Sequence, residues 1–199
     1  MDVQTAWGCG GRGVEVSTDS GQTWQRVEGL VGSSCILAFA DAETGWIVLD
    51  GELKATTVGG TTWEDLALPE DASEVAAISR RTVEDGYLLD TDSGLHVTQD
   101  GGKTWSLMGT LKREDGSAVT GLLPAQAAVR FLDADHGMVV FDLGKSGMTV
   151  LRTRDGGQTW KEESLSIDWA APYLSRDGMF VTLVTVMDPE IVVLQYQGE

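Results

Sequence analysis

Short apolar segments rich in β-branched and aromatic residues alternate with polar, glycine-containing stretches along the chain. Segments of this length, bounded by turn residues, are typical of β-strands rather than helices. One unit holds four of them, which we label strands a to d: CILAFA at residues 35–40, GWIVLD at 45–50, LKATTV at 53–58 and TWEDLAL at 62–68. The pattern predicts an all-β chain made of four-stranded antiparallel units.

The same order of segments recurs along the chain, and we count about 18 strands in about four and a half units. The first unit lacks strand a, and the last begins near Tyr173 with strands at 179–187 and 190–197. A chain of 199 residues is expected to form a single domain. Its repeat units are predicted at residues 1–30, 31–70, 71–112, 127–167 and 168–199.

An octapeptide occurs four times at the predicted turn between strands c and d. The copies are STDSGQTW at residues 17–24, TTVGGTTW at 56–63, TQDGGKTW at 98–105 and TRDGGQTW at 153–160. Their tryptophans lie 39, 42 and 55 residues apart. A period near ~40 residues with four short strands is typical of a propeller blade. The sequence therefore predicts a β-propeller.

The residue types of the octapeptide predict a tight turn. Aspartate at the third position can accept backbone hydrogen bonds, and glycine at the fifth adopts a positive φ without steric cost. The threonine hydroxyl at the seventh position adds local bonds, and the tryptophan can bury roughly 200 Å². These positions are Asp19, Gly21, Thr23 and Trp24; Gly60, Thr62 and Trp63; Asp100, Gly102, Thr104 and Trp105; and Asp155, Gly157, Thr159 and Trp160. Val58 replaces the aspartate of the second copy, so that turn is expected to be held differently.

A second, weaker motif lies upstream of each octapeptide, at the predicted turn between strands a and b. Its copies are DVQTAW at residues 2–7, DAETGW at 41–46, DADHGM at 133–138 and a shortened form, EDGY, at 84–87. Alternate connections of an antiparallel blade emerge at opposite ends. The a-to-b turn and the octapeptide are therefore expected to share one end, and the b-to-c and d-to-a loops the other.

The octapeptide resembles the Asp-box, or bacterial neuraminidase repeat. Together with the upstream Gly-Trp turn, as in DAETGWIVLDGELKATTVGGTTW, it is most similar to the photosystem II stability/assembly factor-like group of propellers. The resemblance extends over most of the chain, from residue 2 to about residue 165. It implies a non-catalytic scaffold that binds other proteins, with the boxes on the outer rim. It also favours an extracytoplasmic location, although no signal peptide precedes the first turn.

The sequence allows more than one way of closing the ring. An open ring would leave long unpaired strand edges, which propellers normally avoid. We favour a five-bladed ring with two three-stranded blades. A piece of a longer propeller and a ring completed by a second copy are the alternatives.

The charge of the chain limits its partners. The formal net charge is −17, from 31 acidic and 14 basic residues. Phosphates are repelled by such a surface, so we expect no nucleic-acid partner. The longest apolar run, at residues 179–187, contains threonines and is shorter than the roughly 20 residues that span a bilayer, so no membrane insertion is expected.

Enzyme activity is not expected. Sialidases with Asp-boxes use an arginine triad, a tyrosine–glutamate pair and an aspartate, and usually an Arg-Ile-Pro segment. That segment does not occur, and Tyr87, Tyr173 and Tyr196 are the only tyrosines. Other Asp-box glycosidases use a pair of carboxylates, but no motif selects such a pair among 31 acids.

No cofactor or metal site is expected, because no CxxC pair occurs and His96 and His136 stand alone. Cys9 and Cys35 lie on predicted strands of the first and second units. Their spacing does not show that they meet, and we favour free buried thiols over a bridge.

Two groups of residues are candidates for binding a partner. The connection KREDGSAVTGLLPAQ at residues 112–126 is the longest, and it starts with Lys112 and Arg113. Long loops on a rigid scaffold are common recognition elements, but a tolerated surface insertion is the alternative, and we favour the insertion. Arg80, Arg81 and Arg130 lie on predicted a strands, which line a propeller's channel. They can face an acidic ligand group or pair with neighbouring acids, and we favour the pairing.

Carbohydrate binding, or a sialidase-like glycoside hydrolase remnant, is the alternative to a protein-binding scaffold. Sugar sites present aromatic platforms. Six of the seven tryptophans belong to the two turn motifs, which leaves Trp169 as the only spare one. A glycan groove with several subsites is therefore less favoured than a protein partner.

Overall fold

The computed structural model describes residues 4–10, 13–123, 127–142, 148–165, 171–174, 180–184 and 191–195. Secondary structure within these residues consists of 18 β-strands joined by turns and bends. Trp169, Tyr196 and the end of the long connection, residues 124–126, lie outside them. None of the described segments is a helix long and apolar enough to cross a membrane.

The strands form five sheets, each in chain order. The first holds β1 (Ala6–Gly10), β2 (Gly13–Ser17) and β3 (Gln25–Arg26), and the second β4 (Cys35–Phe39), β5 (Gly45–Leu49), β6 (Glu52–Thr56) and β7 (Glu64–Leu66). The third holds β8 (Val75–Arg80), β9 (Gly86–Asp90), β10 (Gly94–Thr98) and β11 (Ser106–Thr110). The fourth holds β12 (Ala127–Phe131), β13 (Gly137–Asp142), β14 (Met148–Thr153) and β15 (Lys161–Leu165), and the fifth β16 (Ala171–Leu174), β17 (Phe180–Val184) and β18 (Ile191–Gln195).

This arrangement confirms the predicted fold class, an all-β chain of antiparallel propeller blades. Three described blades have four strands and two have three. In the first blade the described strands occupy positions b, c and d. Closure of the ring stays a prediction.

Local sequence explains the tight turns at the other end of the blades. Between β5 and β6, Leu49 pairs with Glu52 across a two-residue loop. The loop residues, Asp50 and Gly51, have φ values of 48° and 87°. Positive φ at both positions is the requirement of a type I′ hairpin, and Asp-Gly is one of its preferred sequences.

In the first four blades the two turn motifs are joined by a backbone hydrogen bond. In the third blade the Gly101 N–H donates to the Glu84 carbonyl at 2.8 Å. The equivalent donor–acceptor pairs in the other blades are Ser20 and Gln4, Gly59 and Glu43, and Gly156 and Asp135. The bond confirms that the a-to-b turn and the octapeptide share one end of the blade.

The third a-to-b turn is longer than the sequence predicts. Thr82 occupies the position that Asp41 and Asp133 hold in the neighbouring copies, and its hydroxyl accepts bonds from the Glu84 and Asp85 N–H groups. Asp41 accepts from its own turn in the same way. The turn is therefore of full length, and reading EDGY as a shortened motif was wrong, because a hydroxyl replaces the carboxylate as acceptor.

The chain divides into two compact units, one of residues 1–70, 78–86 and 98–105, the other of residues 71–77, 87–97 and 106–199. The first unit contains a buried cluster of Val14, Leu30, Ile47 and Leu49. In the second unit a larger cluster joins strand residues to apolar side chains of the long connection: Tyr87, Leu89, Leu95, Leu111, Val119, Leu122, Phe131, Val139, Phe141, Leu151 and Trp160 are among its members.

Cys9 on β1 and Cys35 on β4 form a disulfide, with Cα atoms 6.1 Å apart. The prediction of free buried thiols was therefore wrong: Cys9 is exposed and Cys35 partly buried. The bond links the first blade to the second. It could not be read from the sequence, because cysteine spacing along the chain does not determine the distance between strands of different blades.

Candidate functional site

The octapeptide forms the same hydrogen-bonded turn in three of its copies. In the third, the Asp100 carboxylate accepts the Thr104 N–H at 2.9 Å and the Thr104 hydroxyl at 2.6 Å. The Thr98 hydroxyl donates to Asp100 at 2.8 Å and accepts the Gly102 N–H at 3.0 Å. Matching bonds occur around Asp19 with Ser17, Gly21 and Thr23, and around Asp155 with Thr153, Gly157 and Thr159.

These bonds hold the three aspartates in their ionised form. Hydrogen bonds from the threonine side chain and backbone four residues later lower the pKa of Asp19, Asp100 and Asp155 to about 2. A carboxylate that accepts several hydrogen bonds prefers the charged state, because protonation would remove acceptors. Their oxygens are thus occupied within the turn, which supports a structural role.

The second octapeptide forms its turn without an aspartate. The Val58 carbonyl takes over as acceptor, and the Thr61 N–H and hydroxyl donate to it at 3.3 and 2.9 Å. Gly60 N–H still donates to the Thr56 hydroxyl at 2.9 Å, and the Trp63 ring N–H donates to the Gly60 carbonyl at 3.1 Å. The glycines retain the predicted positive φ, which is 78° at Gly60.

The tryptophan that ends an octapeptide packs beside an aromatic residue of strand b in the preceding blade. Trp7 meets Trp63 edge to face at 6.0 Å between ring centroids, and it stacks on Phe39 at 4.8 Å. Trp46 packs on Trp105 at 5.4 Å, and its ring N–H donates to the Gly101 carbonyl. These contacts join neighbouring blades through the residues of both motifs.

Trp24 is the exception, since 44% of its surface is exposed. No aromatic partner from a preceding strand b contacts it in the part of the chain that the structure describes, and it lies over Gly8 of its own sheet. The expectation that packing within the repeats occupies every octapeptide tryptophan, and leaves only Trp169 spare, is therefore wrong for Trp24.

The arginine candidates have internal partners. Arg80 ends β8 and is 3% exposed. Its guanidinium lies 4.2 Å from the Trp46 ring centroid and donates to the Val83 carbonyl. Burial lowers the pKa of Arg80 to about 10, and the nearby charges of Asp41 and Glu84 oppose that shift. Arg81 forms an ion pair with Asp85 at 2.6 Å.

Arg130 lies on β12 and lines a small cavity of about 60 Å³ in the second unit. The lining is mainly apolar and includes Leu132 and Met138, with Arg152 and His136 beside them. Whether any of these arginines contacts a partner stays a prediction.

The long connection is a structured hairpin, which we call the connector hairpin (residues 111–123). Lys112 and Ala118 form an isolated antiparallel bridge, and the Arg113 N–H donates to the Ser117 carbonyl at 2.8 Å. Leu111, Val119 and Leu122 are buried in the core of the second unit. The connector hairpin is therefore attached to the core at both ends of its bridge.

Polar contacts fix the connector hairpin further. The buried Ser93 hydroxyl donates to the Val119 carbonyl at 2.9 Å. Arg113 forms an ion pair with Glu162 on β15. The residues between Arg113 and Val119, together with Lys112, are exposed to solvent.

Titratable groups are not arranged for metal binding in the described residues, where no cluster of three or more His, Cys, Asp or Glu side chains is found. His96 is buried and lies 3.0 Å from the Asp90 carboxylate, which also accepts the Gly94 N–H. His136 contacts Asp133 in an exposed turn. The His96–Asp90 pair was not anticipated, because neither residue belongs to a repeated motif.

A family model for the BNR/Asp-box repeat matches residues 96–107, which include the third octapeptide. The same turn geometry recurs at the first and fourth copies. The fold is an Asp-box β-propeller. No curated protein matches the propeller's sequence.

Solved structures are similar to this chain at low sequence identity. YCF48 bound to D1 peptide is 15% identical, with a TM-score of 0.48, and the match covers 100% of this chain and 91% of that chain. YCF48 from Cyanidioschyzon merolae is 14% identical, with a TM-score of 0.47 over 90% of this chain and 88% of that one. A GH74 enzyme of Niastella koreensis is 14% identical, with a TM-score of 0.65. That match covers 92% of the propeller and 32% of the enzyme chain, and it shows the fold.

Proposed function

We propose that this propeller is a non-catalytic scaffold that binds a protein partner through the connector hairpin. The observation that supports the proposal is the contrast between the two parts of this loop. Its base is fixed to the core by Leu111, Val119 and Leu122, while its tip is exposed. A loop that is already ordered loses little conformational entropy on binding, which favours recognition.

The charge of the chain supports a protein rather than a nucleic acid as the partner. The net charge of −17 repels phosphates and favours a partner with basic groups. Glu114 and Asp115 at the exposed tip of the connector hairpin extend this negative surface. Lys112 and Arg113 are proposed as polar contacts at its base, with Arg113 oriented by Glu162.

The test compares three immobilised baits in extract of the source organism. In the connector variant, residues 113–117 are replaced by Asn-Gly, which keeps the bridge between Lys112 and Ala118 on a two-residue turn. We expect a discrete protein that the wild type retains and the variant loses by at least tenfold. Glu64→Gln is the matched control, because it removes one negative charge at an exposed position on β7 and leaves the connector hairpin and its Arg113–Glu162 ion pair intact, so it should retain the partner.

Circular dichroism and thermal unfolding of all three baits verify that they are folded. Binding of the purified partner is then measured by calorimetry with each bait. Retention of glycan or cell-wall material alone, or equal binding of the partner by the wild type and the connector variant, would contradict the proposal.

A further inference from the structure

The outermost strands of the four described blades that have a strand d differ in how their edges are protected. β3 has two residues and β7 has three, so each offers little backbone for pairing. β15 has five residues but carries Lys161, Glu162 and Glu163. Short length and charged side chains are devices that prevent an edge strand from pairing with another chain.

β11 has neither device. Its sequence is Ser-Leu-Met-Gly-Thr, without a charged residue, and all five residues are exposed. Within the described residues β11 pairs with β10 alone. Its second edge is therefore an uncharged, solvent-exposed strand edge of five residues.

A β-bulge gives this edge a local apolar surface. Leu107 pairs with His96 and Gly109 with Leu95, so Met108 is the additional residue. In a bulge two consecutive residues oppose one on the partner strand, and the extra residue is left out of the ladder. Leu107 and Met108 are 51% and 37% exposed and are adjacent in the chain. The end of the Met108 side chain approaches Gly157 in the fourth octapeptide.

The charges that follow β11 in the chain are mixed, since Lys112 and Arg113 precede Glu114 and Asp115, but the chain as a whole is acidic. The connector hairpin follows this strand directly, and Glu114 and Asp115 at its tip are exposed. The whole chain carries a net charge of −17. A second copy of the chain would meet this edge with the same sign of charge, whereas a basic segment would be attracted.

We propose that the outer edge of β11 accepts an extended basic segment of the partner protein as an added strand. Main-chain hydrogen bonds would supply affinity, and the Leu107–Met108 pair would contact apolar side chains of the segment. The bulge shortens the regular part of the edge, so the pairing is short. This inference rests on the proposed protein-binding function.

A synthetic peptide tests the pairing directly. The probe is a decapeptide of alternating valine and lysine with an N-terminal fluorophore and an amidated C-terminus, and its binding is followed by fluorescence anisotropy and by amide hydrogen exchange. We expect slower exchange at residues 106–110 and weaker binding as salt concentration rises. The same peptide with alternate backbone amides methylated should lose at least tenfold in affinity, because it cannot complete the ladder.

Matched variants locate the site. Leu107→Lys introduces a charge on the edge and should weaken peptide binding at least tenfold. Val31→Lys introduces the same charge at an exposed apolar residue outside β11 and the connector hairpin, and it should leave binding within twofold. Protection at residues other than 106–110, equal binding by both variants, or a wild-type dimer on light scattering that Leu107→Lys abolishes would overturn strand addition.

The partner from the extract separates the two proposals. If it binds Leu107→Lys as well as the wild type but is lost from the connector variant, the scaffold function holds and the β11 inference fails. If no protein is retained by the wild type, the proposed function fails irrespective of the peptide result.

Discussion

At the scale of single residues, Asp19, Asp100 and Asp155 make stability depend on pH. Their pKa is about 2 in the folded chain, below the unfolded value of about 3.9. A group with a lowered folded pKa contributes stability above its unfolded pKa and loses it as pH falls through the folded pKa. We expect the midpoint temperature of thermal unfolding to fall progressively as the pH is lowered from about 4 to about 2.

Circular dichroism melts between pH 7 and pH 2.5 measure this dependence. A triple Asp→Asn variant at the three positions should be less stable at pH 7 but show a flatter decline in acid. The exposed Asp92→Asn serves as the control, and a decline as steep in the triple variant as in the wild type would argue against the box carboxylates.

Val58 is the residue at which one turn departs from its copies. Val58→Asp would provide a carboxylate for the N–H and hydroxyl of Thr62, as Asp100 does for Thr104. We expect the free energy of unfolding to rise by about 1 kcal/mol, measured by urea denaturation. Val31→Asp adds the same charge at another exposed valine and should give no gain. Equal effects of the two substitutions would show that general surface polarity, not the turn, is responsible.

At the scale of elements, the first blade depends on its covalent link to the second. Its outer strand has two residues, and the disulfide joins β1 to β4 across 26 positions of sequence. Closing a loop of this size stabilises a fold by roughly 3 kcal/mol in the chain-entropy description. Cys35→Ser should lower the free energy of unfolding by about that amount and speed amide exchange in β1–β3.

The control for this prediction is that the effects of the two cysteine substitutions should not add. Cys9→Ser should have the same effect as Cys35→Ser, and the double variant should be no less stable than either single one. Dithiothreitol should destabilise the wild type and leave the double variant unchanged. Independent effects of the two serines would contradict a shared bond.

At the scale of the whole molecule, repetition made the fold predictable. Each strand and turn of the second unit is repeated in others, so Trp46 or Gly60 could be interpreted from its counterparts. Features without a counterpart were not predictable in this way. Thr82 was missed because a hydroxyl replaces a carboxylate, Trp24 because membership of a repeat does not show how much of a side chain is exposed, and the Cys9–Cys35 bond because it depends on distance in space.

The candidate site follows the same division. The sequence identified the connector hairpin by its length, but the irregular spacing of Leu111, Val119 and Leu122 did not show that its base is buried. The absence of charge in β11 is visible in its sequence, Ser-Leu-Met-Gly-Thr. That this strand presents an exposed edge follows only from its outermost place in the sheet.

The disulfide also bears on how the protein is produced. A reducing cytosol keeps thiols reduced, whereas an oxidising compartment allows Cys9 and Cys35 to form their disulfide. Expression of the same polypeptide in a reducing and in an oxidising compartment would therefore give two products that differ by one covalent bond. Digestion with a protease should distinguish them, since the reduced material would be cut first within residues 4–30.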